Sequence, residues 1–180
     1  MKKYISLFAV LFVFTITTAF VSTDKWFLFE TNACSILFPK KVETENKEID
    51  SEIGKLQLKI TMYDASVDSK DDNLVYGLFT TTYPDSLINS DKKEKLTKFF
   101  RNAIDGAVKN VDGKLLSEQE ITINEFPGRE IRVDYSNGLA IIKMRCYLVH
   151  NVLYMLQTIT LTEKEKNEAA LSFLNSFKLK

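Results

Sequence analysis

The chain has 180 residues with 24 basic and 24 acidic side chains, so its formal charge is zero. That length fits one domain of roughly 100–200 residues, and 45% hydrophobic with 27% charged residues is a globular composition, neither disordered nor fibrous. A balanced charge gives no basic footprint for nucleic acid, and a single His argues against a His-rich metal site or a His-based triad.

Met1-Lys2-Lys3 is a short cationic start, and Tyr4 to Val21 follows without a charge. Thr17 and Ala19 put small residues three and one before Phe20, so residues 1–21 read as a signal peptide cleaved near Ala19. The run is also close to the roughly 18–20 residues that cross a bilayer, which leaves an uncleaved anchor as the alternative. Cys34 lies beyond Asp24, Lys25 and Glu30, too far along for a lipoprotein cysteine. Residues 24–180 are then a single exported domain, periplasmic or secreted, with a slight acidic excess once Lys2 and Lys3 are gone. An oxidising compartment would permit one disulfide between Cys34 and Cys146. Both keep phase with inward apolar neighbours, so two buried thiols are the alternative.

Trp26 to Glu30 and Cys34 to Phe38 read as short apolar strands, ended by Pro39. Val42 to Asp50 is a polar alternating stretch, and Lys55 to Tyr63 places Leu56, Leu58, Ile60 and Met62 on one face, the period of a half-buried strand. Asp64 to Asn73 is a polar hairpin loop, and Leu74 to Tyr83 is a strand rich in aromatic and β-branched residues. From Asp91 to Val111 the apolar residues fall three and four apart, giving an amphipathic helix with Ser90 as N-cap and Gly113 at its exit.

The C-terminal half can be registered by arithmetic. Asn137-Gly138 is a strong two-residue turn because both residues tolerate positive φ. It pairs Tyr135 with Ala140, Val133 with Ile142 and Ile131 with Met144, and on the other face Glu130 with Arg145. His150-Asn151 serves as a second turn, pairing Leu148 with Leu153, Cys146 with Met155 and Ile142 with Ile159. Both registers send Ile142 inward, and a slip of one residue would expose the whole set. The back of this meander carries Tyr147 opposite Tyr154 and Val149 opposite Val152, with Leu156 beside Arg145. A face so apolar needs a cover or is itself a binding surface. Thr162-Glu163-Lys164-Glu165 reads as a capping box opening a last helix, expected to pack on this face with Phe173 and Phe177 as its anchors. One helix on each face of a mainly antiparallel, twisted sheet predicts an α+β three-layer sandwich.

Phe38-Pro39, Phe126-Pro127-Gly128-Arg129-Glu130, Tyr147-Leu148-Val149, Leu153-Tyr154-Met155-Leu156 and the closing Phe173-Leu174-Asn175-Ser176-Phe177 occur in this order. The order resembles small exported bacterial proteins of the PsbP-like fold, shared by a photosystem II extrinsic subunit and a Ran-binding import factor. The resemblance covers most of the chain from Trp26 onward. It implies a PsbP-like α+β sandwich and a non-enzymatic binding or assembly role; fold alone does not carry activity.

The chemical constellations are sparse. His150 sits at a turn, and no nucleophile elbow or Gly-rich phosphate loop occurs. Asp64, Asp68, Asp71 and Asp72 crowd one loop without the spacing or closing Glu of a calcium loop. Glu118 and Glu120 share the polar face of a strand, and Pro127-Gly128 is expected to put Arg129 and Glu130 at a tight bend. No catalytic residue, metal ligand or cofactor site is assigned. Tyr147, Tyr154, Arg129 and Glu130 remain as candidate binding-surface residues. The expected function is an exported, non-enzymatic module that binds an unknown protein or envelope component, not nucleic acid, and meets the membrane only if its leader stays. The alternatives are a carboxylate-dependent enzyme, or a carrier holding an apolar ligand between helix and sheet, motivated by 13 Phe and 7 Tyr.

Overall fold

The structure is a computed structural model and describes residues 25–51 and 53–180. The leader expected over residues 1–21, cleaved or anchoring, lies outside them. No helix among the described residues is long and apolar enough to cross a membrane.

Among the described residues, ten strands and two helices follow in chain order: β1 (Phe27–Glu30), β2 (Cys34–Phe38), β3 (Thr44–Ser51), β4 (Gly54–Asp64), β5 (Asn73–Thr82), α1 (Lys93–Asn110), β6 (Lys114–Ile123), β7 (Phe126–Tyr135), β8 (Ala140–Val149), β9 (Val152–Leu161), α2 (Glu168–Asn175) and β10 (Lys178–Leu179). Seven strands make one antiparallel sheet in the order β3-β4-β5-β9-β8-β7-β6. A second, three-stranded sheet has the order β1-β2-β10.

The meander keeps the register that its turns dictate. Tyr135 faces Ala140, Val133 faces Ile142 and Glu130 faces Arg145, while Leu148 faces Leu153 and Ile142 faces Ile159. Asn137 and Gly138 both adopt positive φ, 54° and 89°, as their side chains allow. Ile142 is fully buried.

α1 covers one face. Its Phe99 and Phe100 pack on Cys146, Leu148 and Leu153, and its Ile104 packs on Ile131, Val133, Ile142 and Met144. The helix begins at Lys93 with no side-chain cap. Ser90 instead clamps the β8–β9 turn, its hydroxyl accepting from the His150 amide at 3.1 Å and its amide donating to the His150 carbonyl at 2.8 Å.

The opposite face corrects the three-layer expectation. α2 has only eight residues, about 12 Å of helix, too short to cover a seven-stranded sheet. The rest of the cover is the second sheet, whose Cys34, Ile36 and Phe38 enter one core with Tyr76, Leu78, Tyr147, Tyr154 and Leu156 of the large sheet and Phe173 and Leu174 of α2. The fold is therefore two sheets, with one long helix outside and a short helix wedged between them, not a sheet between two helical layers. Sequence periodicity showed β1 and β2 as strands; it could not show that they leave the main sheet.

The capping box does not form either. The Thr162 hydroxyl donates to the Gly138 carbonyl at 2.7 Å, and Glu165 is held by Arg132 at 2.7 and 2.8 Å. Residues Thr162–Lys164 form a 3-10 turn, and Asn167 caps α2 by accepting from the Ala170 amide at 2.8 Å. Tertiary partners outcompete the local cap.

Candidate functional site

The residues singled out from sequence fall in separate places. Tyr147 and Tyr154 lie in the core, 7% and 6% exposed, because Phe177 lies over both: its ring stacks on Tyr147 at 6.1 Å and meets Tyr154 at 5.5 Å. The meander's back is covered, and the tyrosine pair is not a docking surface. Arg129 and Glu130 point to opposite faces of β7, and no bend precedes them, since Pro127 and Gly128 are regular strand positions. Gly128 is needed for closeness. A Cβ there would stand 2.4 Å from the Cys146 carbonyl and 2.6 Å from the Tyr147 ring.

Arg129 is enclosed on the α1 face. Its guanidinium lies 4.8 Å from the Phe100 ring centroid and pairs with Glu120 at 2.7 Å and Glu118 at 3.4 Å. Arg101 joins the group, meeting Glu118 at 2.8 Å and Asp105 at 2.9 Å. Positive and negative side chains alternate here, and the cluster fastens α1 to β6 and β6 to β7. On the other face Glu130 accepts from Gln119 at 2.7 Å and from Arg145, which also donates to Asn175 at the end of α2. That arrangement is a tie between sheet and helix.

The four aspartates of the β4–β5 loop each have their own partner. Asp64 accepts from Ser66, Asp68 from Lys40 and the Lys70 amide, and Asp71 from the Tyr76 hydroxyl and the Asn73 amide. Asp72 pairs with Lys164 at 3.1 Å. They do not converge, and no metal-holding group of three or more His, Cys, Asp or Glu occurs among the described residues. The ring of His150 meets Phe126 edge-on at 5.0 Å, its backbone at φ 50° in the β8–β9 turn.

Cys34 and Cys146 are both buried free thiols. Cys34 belongs to the core between the two sheets, Cys146 to the core under α1. The large sheet stands between them, so the disulfide weighed from sequence does not form. Burial raises both thiols above their ordinary pKa, Cys146 to about 11.

What sequence reasoning missed is a groove. α1 lies over β7, β8 and β9, and the same face of the sheet continues past it through β5, β4 and β3 without another helix among the described residues. Between the helix flank and these strands lies a cavity of about 380 Å³. Its floor is Ile49, Leu58, Phe79, Leu153, Met144 and Met155. Its helical wall is Asn102, Ala103, Gly106, Ala107, Asn110 and Val111, and Thr81, Tyr83 and Gln157 complete the lining. The strand positions share a face by register: Leu58 pairs with Thr81, Phe79 with Met155 and Thr81 with Leu153.

Two glycines shape this space. Gly106 sits mid-helix, where glycine costs roughly 1 kcal/mol relative to alanine, yet nothing lies within 4 Å of the Cβ it lacks. No close packing accounts for it; what it does is leave the wall open. Gly77 on β5 has the opposite geometry, since a Cβ there would stand 2.7 Å from the ring of Phe79. Its missing side chain lets that ring fold back along the strand. The legible sequence signal was Asn102, Gly106 and Asn110 at intervals of four, a small and amide stripe beside the apolar one.

The carboxylates held below their ordinary range, Asp64, Asp68 and Glu165, owe it first to hydrogen bonds from Ser66, the Lys70 amide and Arg132 respectively. None of them lines the groove.

Neither a family model nor a curated protein matches the chain. Among solved structures, a Pseudomonas aeruginosa protein of unknown function is similar at a TM-score of 0.36 and 10% identity, over 77% of this chain and 85% of that one. A likeness of that size transfers neither fold nor function.

Proposed function

We propose that this chain is a non-enzymatic binding module of the cell envelope, and that its ligand is an apolar small molecule held between α1 and the sheet. The observation that carries the reading is the groove of about 380 Å³ with an aliphatic and aromatic floor, within the usual size of roughly 300–1,000 Å³ for ligand sites. The charged clusters elsewhere are matched ion pairs that join α1 to β6, β7 to its neighbours β6 and β8, and β7 to the turn before α2. The apolar run at Tyr4 to Val21 and the resemblance to exported bacterial proteins support an address outside the cytoplasm.

The test is a fluorescence titration with the neutral probe N-phenyl-1-naphthylamine. The protein should bind it saturably with one site, and Gly106→Leu should abolish binding by filling the wall while leaving the circular dichroism unchanged. Equal binding by both proteins would remove the groove from consideration.

A further inference from the structure

The chemistry of the lining goes further than apolarity. Charged residues make up 27% of the chain, so fifteen residues drawn at random would include about four; none of the fifteen described residues that line the groove is charged. What polarity there is comes from neutral groups: the amides of Asn102, Asn110 and Gln157 and the hydroxyls of Thr81 and Tyr83. Each amide offers both a donor and an acceptor.

We infer that the groove is selective for a single-chain amphiphile with an uncharged, hydrogen-bonding head, the chemical class of alkanols, fatty amides and monoacylglycerols. The inference rests on the groove being the ligand site and adds the identity of its occupant. The hydrocarbon lies on Leu58, Phe79 and Met155, and the head reaches the neutral amides. A carboxylate or ammonium head would lose hydration here without a counter-charge, which is unfavourable. A hydroxyl or amide head exchanges its water for the amides of the wall. The volume, near the lower end for ligand sites, accommodates one chain and not the two of a phospholipid.

The experiment uses unsubstituted protein and calorimetric titration with octanol, nonanol and decanol, set against octanoate, decanoate and decylammonium. The alkanols should tighten by about fourfold for each added methylene, the value for transferring that group out of water. The charged amphiphiles of equal chain length should bind at least about tenfold more weakly. Decanoate or decylammonium binding as tightly as decanol would overturn the head-group inference and leave the groove as a ligand site. If no amphiphile binds and the neutral naphthylamine fails as well, the site reading itself falls. Asn102→Lys adds a gain-of-function arm: placing a cation on the wall should strengthen decanoate binding at least about tenfold, and no gain there would also count against recognition of the head at this wall.

Discussion

The ring of Phe177 lies parallel to that of Tyr147, their planes 7° apart and their centroids separated by 6.1 Å. This one pair decides whether the back of the meander is core or surface. Phe177 follows α2 and precedes β10, so the chain brings it down on the tyrosines as it leaves the helix. Phe177→Ala should cost roughly 3–5 kcal/mol, as for a buried aromatic ring, measured by urea unfolding at constant m. A loss of under about 1 kcal/mol would place the ring at a rim and reopen the tyrosines as a surface.

Glu165 gives the fold an acid-sensitive joint. Arg132 donates to both its oxygens, and this hydrogen bonding holds its pKa below the ordinary 4.5 of a carboxylate. A depressed folded-state value means that the stabilisation is complete above about 4.5 and is lost as pH falls through the lower, folded-state value. Glu165→Gln should therefore be less stable than the unsubstituted protein at neutral pH, and the gap should close on acidification. Denaturant midpoints from pH 7 downward measure it; a gap independent of pH would show that the charge is not what matters.

The thiols should be inert in the folded protein. Attack requires the thiolate, and burial holds Cys146 near 11 and raises Cys34 as well. An aromatic disulfide reagent at pH 8 should titrate almost no thiol in the native state and two after unfolding in guanidinium. Finding none after unfolding would mean that the cysteines are joined, which the intervening sheet forbids.

Gly106→Ala should stabilise the protein by about 0.5–1 kcal/mol, because the helix gains propensity and the new methyl meets nothing within 4 Å. Thermal unfolding reads the sign directly. Destabilisation would mean that Gly106 is packed against something, contrary to its place on an open wall.

The sequence made the meander legible in detail because its turns are chemically determined. Asn137-Gly138 sets one register and His150-Asn151 the other, and the pairing of Ile142 checks both. It did not show the second sheet, whose β10 pairs with β2 across most of the chain through only two residues. Nor did it show the fate of Thr162 and Glu165, whose partners Gly138, Arg132 and Lys143 come from the β7–β8 turn and from β7 and β8 themselves. The groove was least legible. It depends on how far α1 sits to one side of the sheet, toward the β6 edge where Arg101 meets Glu118. Periodicity identifies the buried stripe of a helix, but not where its neighbouring flank ends and open space begins.

The most direct test of ligand binding in the groove is the NMR response of the methionine ε-methyls to decanol. Met144 and Met155 line the groove, whereas Met62 lies further out on β4, 47% exposed and outside the lining. Saturable shifts at Met144 and Met155, with Met62 unmoved and the Gly106→Leu protein silent, are the expected result. Shifts confined to Met62, or none at any of the three, would contradict the account.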